Sequence, residues 1–217
     1  MISQKNNEYW NNFYKNNNTL IDSSSFAKFC LEKYIKNKAT IVELGSGNGR
    51  DAIYFANHKH TVYALDLSIE AVKTEQKFAN DKMIENLTIL HDDFINFDYS
   101  TLPNIDIFYS RFTMHSIDED AEDIILNKIY NSLEIDGLCM IEARTIHDSL
   151  INKGKRINAN ISMTNHYRRF INSDIFLKKC LAIGFRILYF TEESGLSVYK
   201  DDDPVLLRLV MTKCDYE

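Results

Sequence analysis

Three of the chain's seven glycines fall in the run Glu43-Leu44-Gly45-Ser46-Gly47-Asn48-Gly49. Glycine carries no Cβ, so such a loop turns sharply and brings backbone N–H groups close to a ligand. A strand entering the loop and a helix leaving it is the arrangement that binds nucleosides and dinucleotides. Neighbouring residues narrow the ligand. A diphosphate loop wants a further glycine three residues after the second one, where Arg50 stands. Glu43, two residues before Gly45, disfavours a diphosphate and suits an ammonium or sulfonium group. Asp66 follows Gly45 by about 20 residues, where a carboxylate can accept hydrogen bonds from both ribose hydroxyls. Each acid alone reads equally as a solvated strand-end residue; their order makes the signal.

A second set of residues suits an acceptor. His115, in Ser110-Arg111-Phe112-Thr113-Met114-His115, is a candidate general base, because imidazole titrates near neutral pH; the alternative is a packing residue. Residues 145–171, after Glu142-Ala143-Arg144, show no helical or strand period, and a loop of that length is more often functional than structural. It carries Lys153, Lys155 and Arg156, then His166-Tyr167-Arg168-Arg169. A guanidinium fork matches carboxylate or phosphate with two hydrogen bonds. Arg111, Arg144, Lys155, Arg156, Arg168 and Arg169 are therefore expected to bind a small anionic acceptor, a solvated charged loop being the alternative. His147, His166 and Tyr167 are further acid–base candidates. His58, His60 and His91 lie at opposite strand ends without supporting carboxylates, so no metal is expected.

The elements that position these groups alternate. Strands are expected at Thr40–Leu44, Thr61–Leu65, Leu87–Leu90, Ile105–Ser110 and Leu138–Glu142. Helices are expected over 50–57, 68–79 (capped by Ser68), Asp118–Leu133 (ending at Gly137) and Ser173–Ala182. Near-continuous apolar strands between helices indicate a parallel sheet covered on both faces. No helix-length segment separates Phe185–Phe190 from Val205–Met211, so one of these should run antiparallel. The expected product is one α/β domain, 1–217, with a seven-stranded sheet whose last strand is reversed. Residues 1–36 read as helical; Trp10, Phe13 and Tyr14 share a helix face, as a docked helix or a lid over a ligand.

The glycine loop, the acidic strand end at Asp66, the His91-Asp92-Asp93-Phe94 run and the reversed strand together resemble the class I S-adenosylmethionine-dependent methyltransferases, which have a Rossmann-like fold. The Tyr-Trp-x-x-Phe-Tyr segment looks like the N-terminal lid of the small-molecule branch, similar to tellurite-resistance-type and sugar methyltransferases. The resemblance implies S-adenosylmethionine as cofactor, with Asp93 bonding the adenine amino group and Phe94 lying along the ring. It implies Tyr14, Glu43, Gly45, Ser46, Gly47, Gly49, Asp66, Leu67, Asp92 and Ser110 as its other contacts. The Asp/Asn-Pro-Pro-aromatic run of nucleic-acid amino-methyltransferases is absent after Ser110. A methyl acceptor oxygen or nitrogen on a phosphate- or carboxylate-bearing small molecule is expected, such as a surface-polysaccharide precursor. The alternatives are an NAD(P) oxidoreductase and a cofactor-binding, non-catalytic subunit.

Bulk properties agree. The 217 residues, 45% hydrophobic, suffice for one sizeable core. A net charge of -6 argues against a general nucleic-acid binder. The four cysteines are far apart, the N-terminal residues lack a signal-peptide apolar region, and no apolar run is long enough to span a membrane. A soluble cytoplasmic protein with no nucleic-acid or membrane partner is expected.

Overall fold

Short polar side chains set the helix starts in the computed structural model, which describes residues 2–20, 22–163 and 166–214. Its elements run α1 (Ile2–Asn16), α2 (Ser25–Lys33), β1 (Thr40–Leu44), α3 (Arg50–Asn57), β2 (Thr61–Asp66), α4 (Ile69–Asp81) and β3 (Leu87–His91). There follow β4 (Ile105–Arg111), α5 (Glu119–Ser132) and β5 (Leu133–Arg144), then three short strands, β6 (Lys155–Arg156), β7 (Ile161–Met163) and β8 (Tyr167–Arg169). The described chain closes with α6 (Ser173–Ile183), β9 (Phe185–Glu193) and β10 (Leu206–Lys213). Ser24, Ser68, Asp118 and Asn172 each accept a hydrogen bond from the backbone N–H three residues on, capping α2, α4, α5 and α6.

The main sheet has seven strands in the order β3-β2-β1-β4-β5-β10-β9. β1 pairs parallel with β2, and β2 with β3. β10 runs antiparallel to both β5 and β9, so the reversed strand is present as expected. The α/β, Rossmann-like expectation holds.

The chain forms two compact units, Met1–Ile105 and Asp106–Glu217. In the first, the core is drawn from Ile41, Val42 and Leu44 of β1, Val62, Ala64 and Leu65 of β2, and Ala52 and Phe55 of α3, all buried. In the second, Phe108, Ile125, Ile129, Met140, Ile141 and Leu209 do the same. Removing each such side chain larger than alanine from water contributes roughly 1.5–3 kcal/mol.

Two expectations change. Gly137 does not terminate α5: the helix stops at Ser132, Leu133 opens β5 directly, and Gly137 lies within that strand. The left-handed residue there is Asp136 (φ 61°). Gly137 is needed for room instead, since a Cβ would sit 2.7 Å from Leu133 Cγ and 2.8 Å from the Glu134 carbonyl oxygen. Residues 145–171 are not an aperiodic loop either. They hold a three-stranded antiparallel sheet, β6-β7-β8, whose two- and three-residue strands are too short to show a period. No helix among the described residues is long and apolar enough to cross a membrane.

Candidate functional site

In the first unit, β1 delivers the chain into the glycine loop. The N–H groups of Gly45 and Ser46 both donate to the Leu65 carbonyl at the end of β2 (2.8 and 3.0 Å). Gly47 (φ 60°) and Gly49 (φ 79°) lie in the left-handed region that only glycine adopts readily. A side chain on Gly47 would meet Tyr14, whose Cζ lies 2.9 Å from the Cβ position. The loop is thus a cradle, with the α1 aromatic over it.

Asp66 binds this cradle from β2. Its Oδ2 accepts from Gly47 N (2.8 Å) and its Oδ1 from Ser68 N (2.8 Å), so one carboxylate bridges the loop to the start of α4. Burial raises its pKa, the two N–H donors opposing. Asn11 of α1 accepts from Ser68 Oγ (2.8 Å), docking the N-terminal helix on the same corner. Asp93 is engaged locally, its oxygens accepting from Ile95 N (3.0 Å) and Asn96 Nδ2 (2.7 Å). Phe94 is buried, Asp92 and Leu67 are exposed, and Glu43 is buried.

Arg50 has a separate task. It donates to the Asp22 carbonyl, Asn48 donates to the Thr19 carbonyl, and Asp51 accepts from Ser24 N and Oγ, both at 2.7 Å. These three side chains fasten the segment before α2 to the start of α3. The side chain missed by sequence reasoning is Glu75, fully buried against the loop and bonded to Ser46 Oγ. Its signal was present: Ala71, Glu75 and Ala79 are the buried stripe of α4, and a carboxylate at its centre is out of place.

The donor set fits a sulfonium nucleoside better than a diphosphate. Glu43 and Asp66 are carboxyl groups at the loop, and the neighbouring cation, Arg50, is turned to Asp22.

In the second unit, β4 ends at Ser110 and Arg111, and Phe112 follows in a left-handed conformation (φ 60°). A bulky residue held there is strained, which marks an over-determined site. The Arg111 guanidinium lies 4.1 Å over the Phe112 ring, and the His115 ring centroid is 5.5 Å from that of Phe112. Ser110 Oγ donates to Thr113 Oγ1 (3.1 Å).

The structure separates the candidate cations by what holds them. Arg111 Nε and Arg208 Nε both donate to the buried Glu142, at 2.9 and 2.6 Å. Arg144 pairs with Asp148 (2.8 Å) and Asp202, and Arg169 with Glu122. Lys155 and Arg156 are exposed on β6, Arg156 donating to the Asn158 and Ala159 carbonyls. Arg168 instead reaches a histidine: its Nη2 lies 3.0 Å from His166 Nε2.

The acid–base candidates separate as well. Burial, then Arg168, pushes His166 down to about 4, so its Nε2 accepts from the guanidinium. His115 is buried and held well below its ordinary range by burial, then by Arg168, Arg144, His166 and Arg169. Its Nδ1 takes a long contact from Arg144 N (3.5 Å). Tyr167 is buried with its hydroxyl pKa raised, whereas the His147 side chain is exposed and 2.7 Å from Glu192 Oε1. His115, His166, Arg144, Arg168 and Arg169 therefore share one arginine-rich neighbourhood, offset in part by Asp148, Asp202 and Glu122, which His147, Lys155 and Arg156 do not shape. His60 Nδ1 accepts from Ala39 N (3.2 Å), and among the described residues no group of histidine, cysteine or acidic side chains could hold a metal.

A family model described as a methyltransferase domain matches residues 35–195. No curated protein matches the chain. Solved structures do. An S-adenosylmethionine-dependent methyltransferase from Methanosarcina mazei is 14% identical over 86% of this chain and 97% of its own, with a TM-score of 0.74. One from Clostridium acetobutylicum is 14% identical, over 90% and 93%, with a TM-score of 0.71. The 1,6-didemethyltoxoflavin N1-methyltransferase from Burkholderia thailandensis, solved with its acceptor and S-adenosylhomocysteine, is 18% identical, over 89% and 80%, with a TM-score of 0.66. At such identities these likenesses are of fold.

Proposed function

This chain belongs to the methyltransferase domain family, and we propose that it moves the methyl group of S-adenosylmethionine to an oxygen or nitrogen of an anionic small molecule. S-adenosylmethionine supplies an electrophilic methyl group on a sulfonium, so transfer needs little beyond alignment of the acceptor atom. Asp66 is the residue we assign to the ribose hydroxyls and Asp93 to the adenine amino group. Glu43, Gly45, Ser46, Gly47 and Gly49 shape the cradle, and Tyr14 on α1 serves as its lid. Phe94, Leu67 and Asp92 flank the base.

The arginine-rich neighbourhood of His115 carries the acceptor reading. Two buried histidines are kept neutral by burial first and by neighbouring guanidinium groups second, and an acceptor bearing phosphate or carboxylate relieves that second contribution. Arg168 is the residue we assign as principal anion ligand, because its guanidinium lies against His166 and bears on His115 as well. With Nδ1 of His115 turned to a backbone N–H, its Nε2 carries the hydrogen and donates to the acceptor. In this tautomer His115 orients the acceptor and does not take its proton. Lys155 and Arg156 steer anions from the exposed β6, and a phosphorylated or carboxylated sugar precursor fits this chemistry. The cysteines are free thiols, which suits the reducing cytoplasm, where we place the protein.

Proton NMR titration of the histidine ring signals, with and without inorganic phosphate, tests this reading. His115 and His166 should titrate below pH 6, shift upward when phosphate is added, and lose that response in Arg168→Ala. Ring signals indifferent to phosphate would remove the anionic acceptor.

A further inference from the structure

Glu75 is 0% exposed, at the centre of the inward stripe of α4. Its Oε2 accepts a 2.6 Å hydrogen bond from Ser46 Oγ, while its Oε1 has no partner. A Cβ on Gly49 would lie 2.8 Å from Glu75 Cδ, so the glycine loop rests directly on this side chain. Among the described residues, an ionised carboxylate here would have one donor, no cation, and Asp66 as a like charge nearby. Burial without compensation disfavours the charged form strongly. The proton belongs on the acid: burial pushes Glu75 up to about 8, against the Ser46 bond, and Asp66 adds to the rise.

We propose that Glu75 is a positioning residue for the cofactor: as the neutral acid it packs beneath the 45–49 loop without setting a second charge beside Asp66, which keeps the loop in the receiving shape, and cofactor affinity falls when that proton is lost. Ionisation places a second carboxylate beside Asp66, whose own grip on Gly47 N sets the loop from the other side. The proposal rests on the cofactor reading above and concerns no contact between Glu75 and the cofactor itself.

Few other titratable groups bear on Glu75. Asp66 on β2 faces it, and His91 on β3 acts on Asp66. On α4 itself Glu70 pairs with Lys73, and Lys15 of α1 acts on Glu70.

The test is titration calorimetry of the full chain with S-adenosylhomocysteine at several values from pH 6.5 to 9, for wild type and Glu75→Gln. Taking the ratio of the two proteins at each pH cancels ionisation of the ligand's own amino group. Wild-type Kd should rise about tenfold relative to the glutamine variant, whose amide mimics the neutral acid at every pH. Parallel curves for the two proteins would overturn the proposal while leaving the cofactor reading intact. No binding at any pH would overturn both. Should Glu75→Gln fail to fold, Glu75→Leu serves: it has no proton to lose, and a pH response as large as that of wild type there would equally overturn the proposal.

Discussion

Asp66 and Glu75 are carboxyl groups on two sides of one loop, and their environments differ. Asp66 accepts two backbone N–H bonds, which oppose the rise that burial imposes on its pKa; Glu75 has one donor and keeps its proton. The folded-state pKa of Glu75 lies near 8, above the ordinary 4.5, so its stabilising effect is complete below about pH 4.5 and is lost as pH rises through 8. Glu75→Gln should therefore gain thermal stability over wild type as pH rises from 5 to 9, by roughly 5 °C or more at the alkaline end; a constant difference in Tm would show that Glu75 does not titrate in that window. Gly49→Ala should weaken folding by about 1–3 kcal/mol in denaturant titration, since its φ of 79° and the adjacent Glu75 both exclude a Cβ. The glycine loop and the place of Asp66 beside it were legible because they follow from backbone geometry at fixed spacing. Glu75 was not, because a glutamate in a helix reads as surface until its stripe is traced. The strain at Phe112 leaves no mark in residue type at all.

At the scale of elements, hydrophobic period and caps placed the strands and helices of the main sheet to within a few residues. They missed where several elements meet in too little sequence. β5 begins without a loop after α5, and Gly137 reads as a helix stop because its true constraint, crowding by Leu133 and Glu134, is tertiary. Gly137→Ala should lower stability by about 1–3 kcal/mol, measured as a fall of several degrees in Tm, whereas Asp136→Gly should be neutral or slightly stabilising. The β6-β7-β8 sheet escaped notice for a related reason: strands of two or three residues carry no periodic signal.

At the scale of the whole molecule, the missing helix between β9 and β10 sufficed to foresee the reversed strand, the feature that separates this sheet from an all-parallel one. What no periodicity reveals is the buried ion network of the second unit, Arg111–Glu142–Arg208, centred on a carboxylate with 0% exposure. Glu142→Gln should cost about 3–5 kcal/mol, on the order of 10 °C in Tm, by leaving two guanidinium groups without their shared anion. A loss below about 1 kcal/mol would mean that solvent already screens the network.

Calorimetric titration of the purified chain with S-adenosylhomocysteine, beside NADH and beside Asp66→Ala, tests most directly that the acid-flanked glycine loop holds the methyl donor. Saturable binding at one site is predicted for the thioether nucleoside and none for NADH. Asp66→Ala should weaken it at least about a hundredfold, as expected for losing two hydrogen bonds to a charged group. Binding of NADH without the nucleoside, or an Asp66→Ala variant that binds as wild type does, would contradict the assignment.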